Sequence, residues 1–141
     1  MEKFYSKIDK TKLLHIISRY DEISSTRQDI CPAEEFIQLS SFKISRGKTF
    51  RPHKHIFHEK ITNMAQESWV VMKGQVQVTF YDLDDAVLSH SILNEGDVSI
   101  TFAGGHNYLV LSEEAAVYEY KTGPYLGQEY DKVFLDVSHE D

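Results

Sequence analysis

The feature that most limits the fold of this chain is a succession of short segments in which apolar and polar residues alternate. In the segment 75–80 every second residue is apolar, as expected for a strand with one buried face. Further segments of strand character follow at about 87–93, 98–102, 108–111 and 116–121. Many short strands at regular spacing, with little helix between them, predict an all-β fold in the form of a small antiparallel β-barrel or jelly roll.

Two glycines mark expected turns between these strands. Gly74 in the sequence MKGQ and Gly96 in the sequence NEGD stand where hairpins must reverse direction. Such turns need a positive φ, which glycine adopts without steric cost. We therefore predict hairpin turns at both positions.

The N-terminal segment has a different pattern. In KTKLLHIISRY, Leu13, Leu14 and Ile17 recur at helical spacing, and Asp9 is placed to cap a helix. The pattern predicts a short N-terminal helix, in which His15 is a packing or surface residue. The expected organisation is a helical extension over residues 1–23 followed by one β-barrel domain over residues 24–141.

Composition bounds the class of protein. A chain of 141 residues is one domain of ordinary size, and its net charge of −7 argues against a general nucleic-acid-binding protein. We find no apolar run of about 20 residues that would span a membrane and no signal peptide in MEKFYSKIDK. The single cysteine, Cys31, excludes an internal disulfide and is interpreted as a structural residue. We therefore expect a cytoplasmic protein with no membrane or nucleic-acid partner.

Candidate metal ligands lie between the glycines Gly47 and Gly74. His53 and His55 are two residues apart, so on a strand both imidazoles would project from one face toward a single metal ion. A carboxylate on a neighbouring strand would add a third ligand. Two glutamates qualify: Glu67 heads an apolar run, whereas Glu59 lies closer to His55, in an expected loop that also holds His58.

These residues carry a resemblance to the cupin superfamily. The spacing of Gly47, the His-x-His pair, Glu67 and Gly74 resembles the first cupin motif, and the segment GDVSITFAGGHNY, residues 96–108, resembles the second. The resemblance favours Glu67 over Glu59, because six residues separate it from Gly74, and it implies His106 as the last metal ligand. It further implies a single cupin domain.

Three segments narrow the resemblance to the WbuC family of cupin-fold metalloproteins, over roughly residues 24–134. They are RPHKH at 51–55, ESWVVMKG at 67–74 and YEYKTGPYLGQEYDKVF at 118–134. Members of that family are often encoded among genes for surface polysaccharide synthesis. The last segment matches the family block through the following residues: Glu119, Lys121, Gly123, Pro124, Tyr125, Asp131, Lys132 and Phe134.

The resemblance implies a function and a set of partners. Three imidazoles and one carboxylate suit one divalent transition metal, namely Fe, Mn, Ni, Co or Zn. We expect a metal-dependent enzyme, such as an isomerase, epimerase or dioxygenase, that acts on a sugar or nucleotide-sugar. The alternative is a non-catalytic cupin that binds or senses a small molecule. The expected substrate-binding residues supply charge and hydrogen bonds; they are Arg51, Lys121, Tyr125 and Lys132.

A homodimer is the expected assembly. The segment from Phe36 to Ile44 has the pattern of an apolar edge strand, and pairing with a second subunit would cover such an edge.

Overall fold

The computed structural model describes residues 1–136 and consists mainly of antiparallel β-structure, which confirms the all-β prediction. Within these residues one 3-10 turn, Tyr20–Glu22, lies between β-strands, and one short helix follows the last strand. The strands and the helix are β1 (Glu2–Tyr5), β2 (Leu13–Ser18), β3 (Gln28–Asp29), β4 (Ser40–Ser41), β5 (Glu67–Lys73), β6 (Val76–Tyr81), β7 (Val87–Leu93), β8 (Val98–Thr101), β9 (Gly105–Val110), β10 (Ala116–Lys121) and α1 (Gln128–Asp131).

These strands form two main sheets and a small ribbon. The five-stranded sheet has the order β1-β2-β8-β5-β10, and the three-stranded sheet has the order β7-β6-β9. Strands β3 and β4 form a separate two-stranded ribbon. Because neighbouring strands pair antiparallel throughout, the sheets have the pairing expected of a barrel or jelly roll; closure into either form stays a prediction.

The main core lies between the two sheets. Phe80 of the three-stranded sheet is fully buried, with its ring 5.0 Å from the ring of Phe4 and 4.2 Å from that of His15 on the other sheet. The remaining buried apolar members come from both sheets, which therefore pack face to face; they are Ile17, Val71, Val76, Val78 and Leu93.

A second core covers the outer face of the five-stranded sheet. Ile16 and Ile100 on that face pack against Ile30 and Cys31, from the irregular segment 30–39. Cys31 is only 6% exposed, as expected for a structural residue, and burial raises the pKa of its thiol. The five-stranded sheet is thus sandwiched between the other sheet and a folded-back segment.

The predicted N-terminal helix is wrong. Residues 13–18 form β2, which lies inside the five-stranded sheet between β1 and β8. Because both faces of a central strand are covered, Leu14, Ile16 and Ile17 are all fully buried, and a continuous apolar run of this kind also satisfies a helical spacing. Residues 1–23 are therefore part of the sheet and not a helical extension; residues 137–141 of the expected barrel domain lie outside the described residues.

The predicted strand from Phe36 to Ile44 is also wrong over most of its length. Only Ser40–Ser41 is extended and paired, with Gln28–Asp29. Ile37 and Leu39 pack inward on the second core, so their apolar character serves packing rather than an edge strand. Residues 42–66, which include the His-x-His pair, contain no strand in the described structure.

The later strands agree with the sequence predictions, and turns with positive φ occur at both predicted glycines, but neither turn is a hairpin. Gly74 joins β5 to β6 and Gly96 joins β7 to β8, and at both points the chain crosses from one sheet to the other. Gly74 and Gly96 both have φ of +85°. At Gly74 a side chain would also collide with the backbone carbonyl of Glu114, and at Gly96 with the ring of Tyr20. Among the described residues, no helix is long and apolar enough to cross a membrane.

Candidate functional site

Four polar side chains form a row across the inner face of the five-stranded sheet. Lys121 of β10 pairs with Glu67 of β5, Glu67 pairs with Thr101 of β8, and Thr101 pairs with His15 of β2. Cross-strand partners project from the same face of a sheet. Sequence positions separated by more than 100 residues are thereby brought side by side.

The three-stranded sheet places His106 against this row. His106 lies on β9 beside Phe80, and its Nε2 is 3.0 Å from Oε1 of Glu67. The Glu67 side chain is 11% exposed and that of His106 is 23% exposed. The two predicted ligands that came from separate motifs therefore meet across the two sheets, at a site that keeps limited access to solvent.

One nitrogen of His106 has no partner among the described residues. Its Nδ1 is buried and makes no hydrogen bond, whereas Nε2 contacts Glu67. A buried polar atom without a partner costs roughly 1–3 kcal/mol, and native proteins rarely leave one without a reason. The imidazole is thus held in place by one nitrogen contact and retains capacity for another.

The charge of Glu67 reflects a balance of burial and nearby cations. Burial acts to raise the pKa of this carboxyl, but the hydrogen bond with His106 lowers it, and so do the positive charges of Lys132 and Lys121. The net pKa of Glu67 is below its ordinary value. Glu67 therefore carries a negative charge near neutral pH, in a site where positive charges surround it.

Lys121 is clasped by the chain that follows β10. Its Nζ lies 3.3 Å from Glu119, 3.3 Å from Asp131 and 4.3 Å from the ring centre of Tyr125. Burial lowers the pKa of Lys121, whereas the bonds to Asp131 and Glu119 raise it to a net value above its ordinary one. Lys121 therefore stays protonated near neutral pH, and its contacts join Tyr125 and α1 to the edge of the sheet.

An aromatic pair lies one step along the same strands. Trp69 follows Glu67 by two residues and Tyr108 follows His106 by two, so both project from the same face as the polar pair. Their rings stack at 3.8 Å with 5° between the planes. The Tyr108 hydroxyl lies 2.9 Å from Oγ of Ser99, so the pair forms a rigid apolar floor beside Glu67 and His106.

The structure does not bring the His-x-His pair to this site. His53 and His55 are exposed in the irregular segment 42–66, with their ring centres 5.7 Å apart. Nδ1 of His53 contacts the carbonyl of Arg51 at 3.0 Å. Within residues 1–136 no group of three or more His, Cys, Asp or Glu side chains is arranged to hold a metal ion. The four-ligand set stays a prediction.

Of the predicted substrate-binding residues, three lie near Glu67 and one lies in the exposed loop. Lys121 and Tyr125 lie at the rim of the site, and Lys132 is close enough to Glu67 to lower its pKa. Arg51 is exposed in the loop that carries the histidine pair. The two candidate glutamates differ as well. Glu67 contacts His106, whereas Glu59 is exposed, as is His58.

Sequence reasoning missed three residues of the site. The sequence pattern of β2 predicts a helix, so it gives no sign that β2 pairs with β8 and brings His15 beside Thr101. Tyr108 was recognised only as part of a strand. The two-residue spacing from His106 was the signal that could have placed its ring beside the candidate ligands.

Comparison of the chain with protein-family models, with curated proteins and with solved structures finds no match. The residues themselves therefore carry any functional conclusion.

Proposed function

We propose that this protein is a metal-binding cupin that acts as a metal-dependent enzyme on a small polar molecule such as a sugar or nucleotide-sugar. The observation that carries the proposal is the 3.0 Å contact between Glu67 and His106, which come from opposite sheets and from the two separate motifs. Imidazole and carboxylate together suit Fe, Mn, Ni, Co or Zn. The chemistry of this pair fits the expected metal.

The rest of the ligand set is proposed to come from His53 and His55. Both lie in the segment 42–66, which leads directly into the strand that begins with Glu67. Such a metal ion, when bound, acts as a Lewis acid toward a substrate oxygen or activates a water molecule. It is proposed as the one cofactor of the protein.

The chain's own residues would bind and orient the substrate. Lys121 and Lys132 place positive charge beside Glu67, which suits an anionic or hydroxylated molecule. The stacked rings of Trp69 and Tyr108 give the site an apolar floor, on which the flat face of a sugar ring packs. We propose these groups, with Tyr125 and Arg51, as the substrate-binding residues.

Elemental analysis of the purified protein tests the metal assignment. We expect about one transition metal ion per chain in the wild type, and a large loss in Glu67→Gln, in His106→Gln and in His53→Ala. His90→Gln is the matched control, because His90 lies on β7 and contacts Thr79 rather than the site. Equal metal content in all five proteins would reject the assignment.

A second candidate function is a cupin that binds or senses a metabolite without turnover. The exposed position of His53 and His55 favours it, because Glu67 and His106 alone form an incomplete ligand set. Turnover screening with nucleotide-sugars separates the two functions: product formation that disappears in Glu67→Gln supports the enzyme, and ligand binding without product supports the sensor.

A further inference from the structure

A cleft lies at one end of the β3–β4 ribbon, apart from the Glu67–His106 site. We call it the basic cleft and define it by six of the residues that line it: Arg27, Phe42, Lys43, Ile44, Lys48 and Phe50. Its volume is about 300 Å³, which is at the lower end of the range for small-molecule sites. None of these residues belongs to the Glu67–His106 site.

Local backbone contacts shape the basic cleft. The N–H of Lys43 donates to the carbonyl of Ser24 at 2.7 Å, which closes the ribbon at this end. A turn follows, in which the N–H of Lys48 donates to the carbonyl of Ser45 at 3.1 Å. The turn brings Phe50 back to Phe42, and the two rings meet edge to face at 6.1 Å. The two rings therefore form a preformed aromatic wall.

The charge around the basic cleft is opposite to that of the whole protein. The described residues that line the cleft include three cations, Arg27, Lys43 and Lys48, and no acidic residue, in a protein of net charge −7. Of the cations that line the cleft, Arg27 pairs with Asp29 at 2.8 Å. Within the described residues Lys43 and Lys48 form no ion pair. Concentrated positive charge of this kind attracts an anion.

Apolar surface lies beside these cations. Phe50 is 57% exposed and Ile44 is 51% exposed, although both line a concave surface. An inorganic anion would use the lysines and leave the rings uncovered, and an apolar molecule would do the reverse. A ligand that combines a flat ring with an anionic group satisfies both, because aromatic rings stack on flat bases and lysine ammonium groups bind phosphate.

We propose that the basic cleft binds a nucleotide, with the base against Phe42 and Phe50 and the phosphates on Lys43 and Lys48. A nucleoside diphosphate or the nucleotide part of a larger molecule carries both features. The proposal is independent of the metal site, since none of the proposed metal ligands lines the basic cleft.

Titration with a fluorescent nucleotide tests the proposal. The probe is N-methylanthraniloyl-ADP, followed by anisotropy in the presence of EDTA, so that no metal ion bridges protein and phosphate. The single tryptophan, Trp69, does not line the cleft, so a fluorophore on the nucleotide is needed. We expect saturable binding that unlabelled ADP displaces and that weakens with salt.

Paired variants locate the binding. The double variant Lys43→Gln/Lys48→Gln should weaken binding by about tenfold or more, because two charged contacts are lost. Lys54→Gln/Lys60→Gln is the control, since it removes the same charge from exposed positions of the same segment that do not line the cleft. Phe50→Leu should weaken ADP about fivefold or more and leave the affinity for inorganic phosphate unchanged.

Several outcomes would overturn the proposal. They are the absence of binding at millimolar ADP, an equal loss in the control double variant, and displacement by inorganic phosphate as effective as displacement by ADP. Glu67→Gln must retain ADP binding, because a loss there would place the nucleotide at the other site. Retained ADP binding in a protein that holds no metal would support the basic cleft while the proposed function fails.

Discussion

At the scale of single residues, His15 is a tightly constrained titratable group. It is fully buried, stacks on Phe80, and has a hydrogen-bond partner at each ring nitrogen. Because the carbonyl of Tyr81 can only accept, Nε2–H donates to it at 3.2 Å, and Nδ1 accepts from the hydroxyl of Thr101 at 3.0 Å. The Thr101 hydroxyl can donate or accept, so both hydrogen bonds are compatible with the neutral imidazole that burial favours.

Burial lowers the pKa of His15 to about 4, from an ordinary value of 6.5. The hydrogen bond to Tyr81 and the nearby carboxylate of Asp82 act to raise this pKa, and His106 lowers it further. Between these two values the unfolded chain binds a proton that the folded protein excludes. The free energy of unfolding therefore falls as the pH falls from about 6.5 toward 4.

The expected contribution is about 2 kcal/mol of lost stability between pH 7 and pH 4.5, measured by urea unfolding. Carboxylates titrate in the same range, so the wild type is compared with His15→Gln, which has no titrating group at this position. The variant should be less stable at pH 7 and should show a pH dependence weaker by that amount. Parallel pH profiles for the two proteins would contradict a buried neutral His15.

Sequence patterns located part of the site because those parts depend on local spacing. Glu67 at the start of β5 and Gly74 in the turn after it, and Gly96 and His106 in the other motif, follow from distances along the chain. The row from His15 to Lys121 depends on which strands become neighbours, and no local pattern encodes that order. The His-x-His pair does not lie where the sequence predicted it, because the strand expected to carry it does not form.

At the scale of elements, β2 holds the five-stranded sheet together. It pairs with β1 on one side and with β8 on the other, and it contributes to the cores on both faces of the sheet. The sequence predicted a helix here because a strand buried on both faces lacks the alternation that identifies half-buried strands. The pairing of β2 with β8, which is distant in sequence, is not visible in the local pattern.

Removal of side-chain volume from β2 should therefore be costly. Ile16 is fully buried, so Ile16→Ala should lower the free energy of unfolding by about 2–5 kcal/mol, through lost apolar contacts and the cavity that remains. Ile8→Ala makes the same chemical change at a side chain that is 60% exposed, and it should alter stability by less than about 0.5 kcal/mol. Chemical denaturation measures both, and equal effects would show that β2 is not central to the core.

At the scale of the whole molecule, the expected homodimer stays a prediction. The segment once expected to pair with a second subunit is folded onto the sheet, but the described structure leaves other strands at sheet edges, among them β1 and β10. Light scattering in solution should return twice the 16.3 kDa of one chain. A particle of one chain mass at micromolar concentration would refute the dimer.

The overall class of fold was predictable because strand periodicity and turn glycines are features of short sequence segments. The separation into a five-stranded and a three-stranded sheet was not, since it depends on pairing between strands such as β2 and β8, whose paired residues are 80 or more positions apart. The packing of the segment 30–39 on the outer face of the five-stranded sheet could not be predicted either. Gln66 holds this segment to the start of β5 by accepting a hydrogen bond from the N–H of Ile37 at 2.9 Å, and a local pattern does not reveal such a contact.

We propose that Glu67 and His106 form the core of a metal site between the two sheets. Anomalous X-ray scattering from crystals of the protein grown with cobalt(II) tests it most directly, because the anomalous peak locates the ion without reference to activity. We predict a single strong peak within bonding distance of Oε1 of Glu67 and Nε2 of His106, with His53 and His55 moved in to complete the ligand set. A peak at His53 and His55 alone, or no peak near Glu67 and His106, would contradict it.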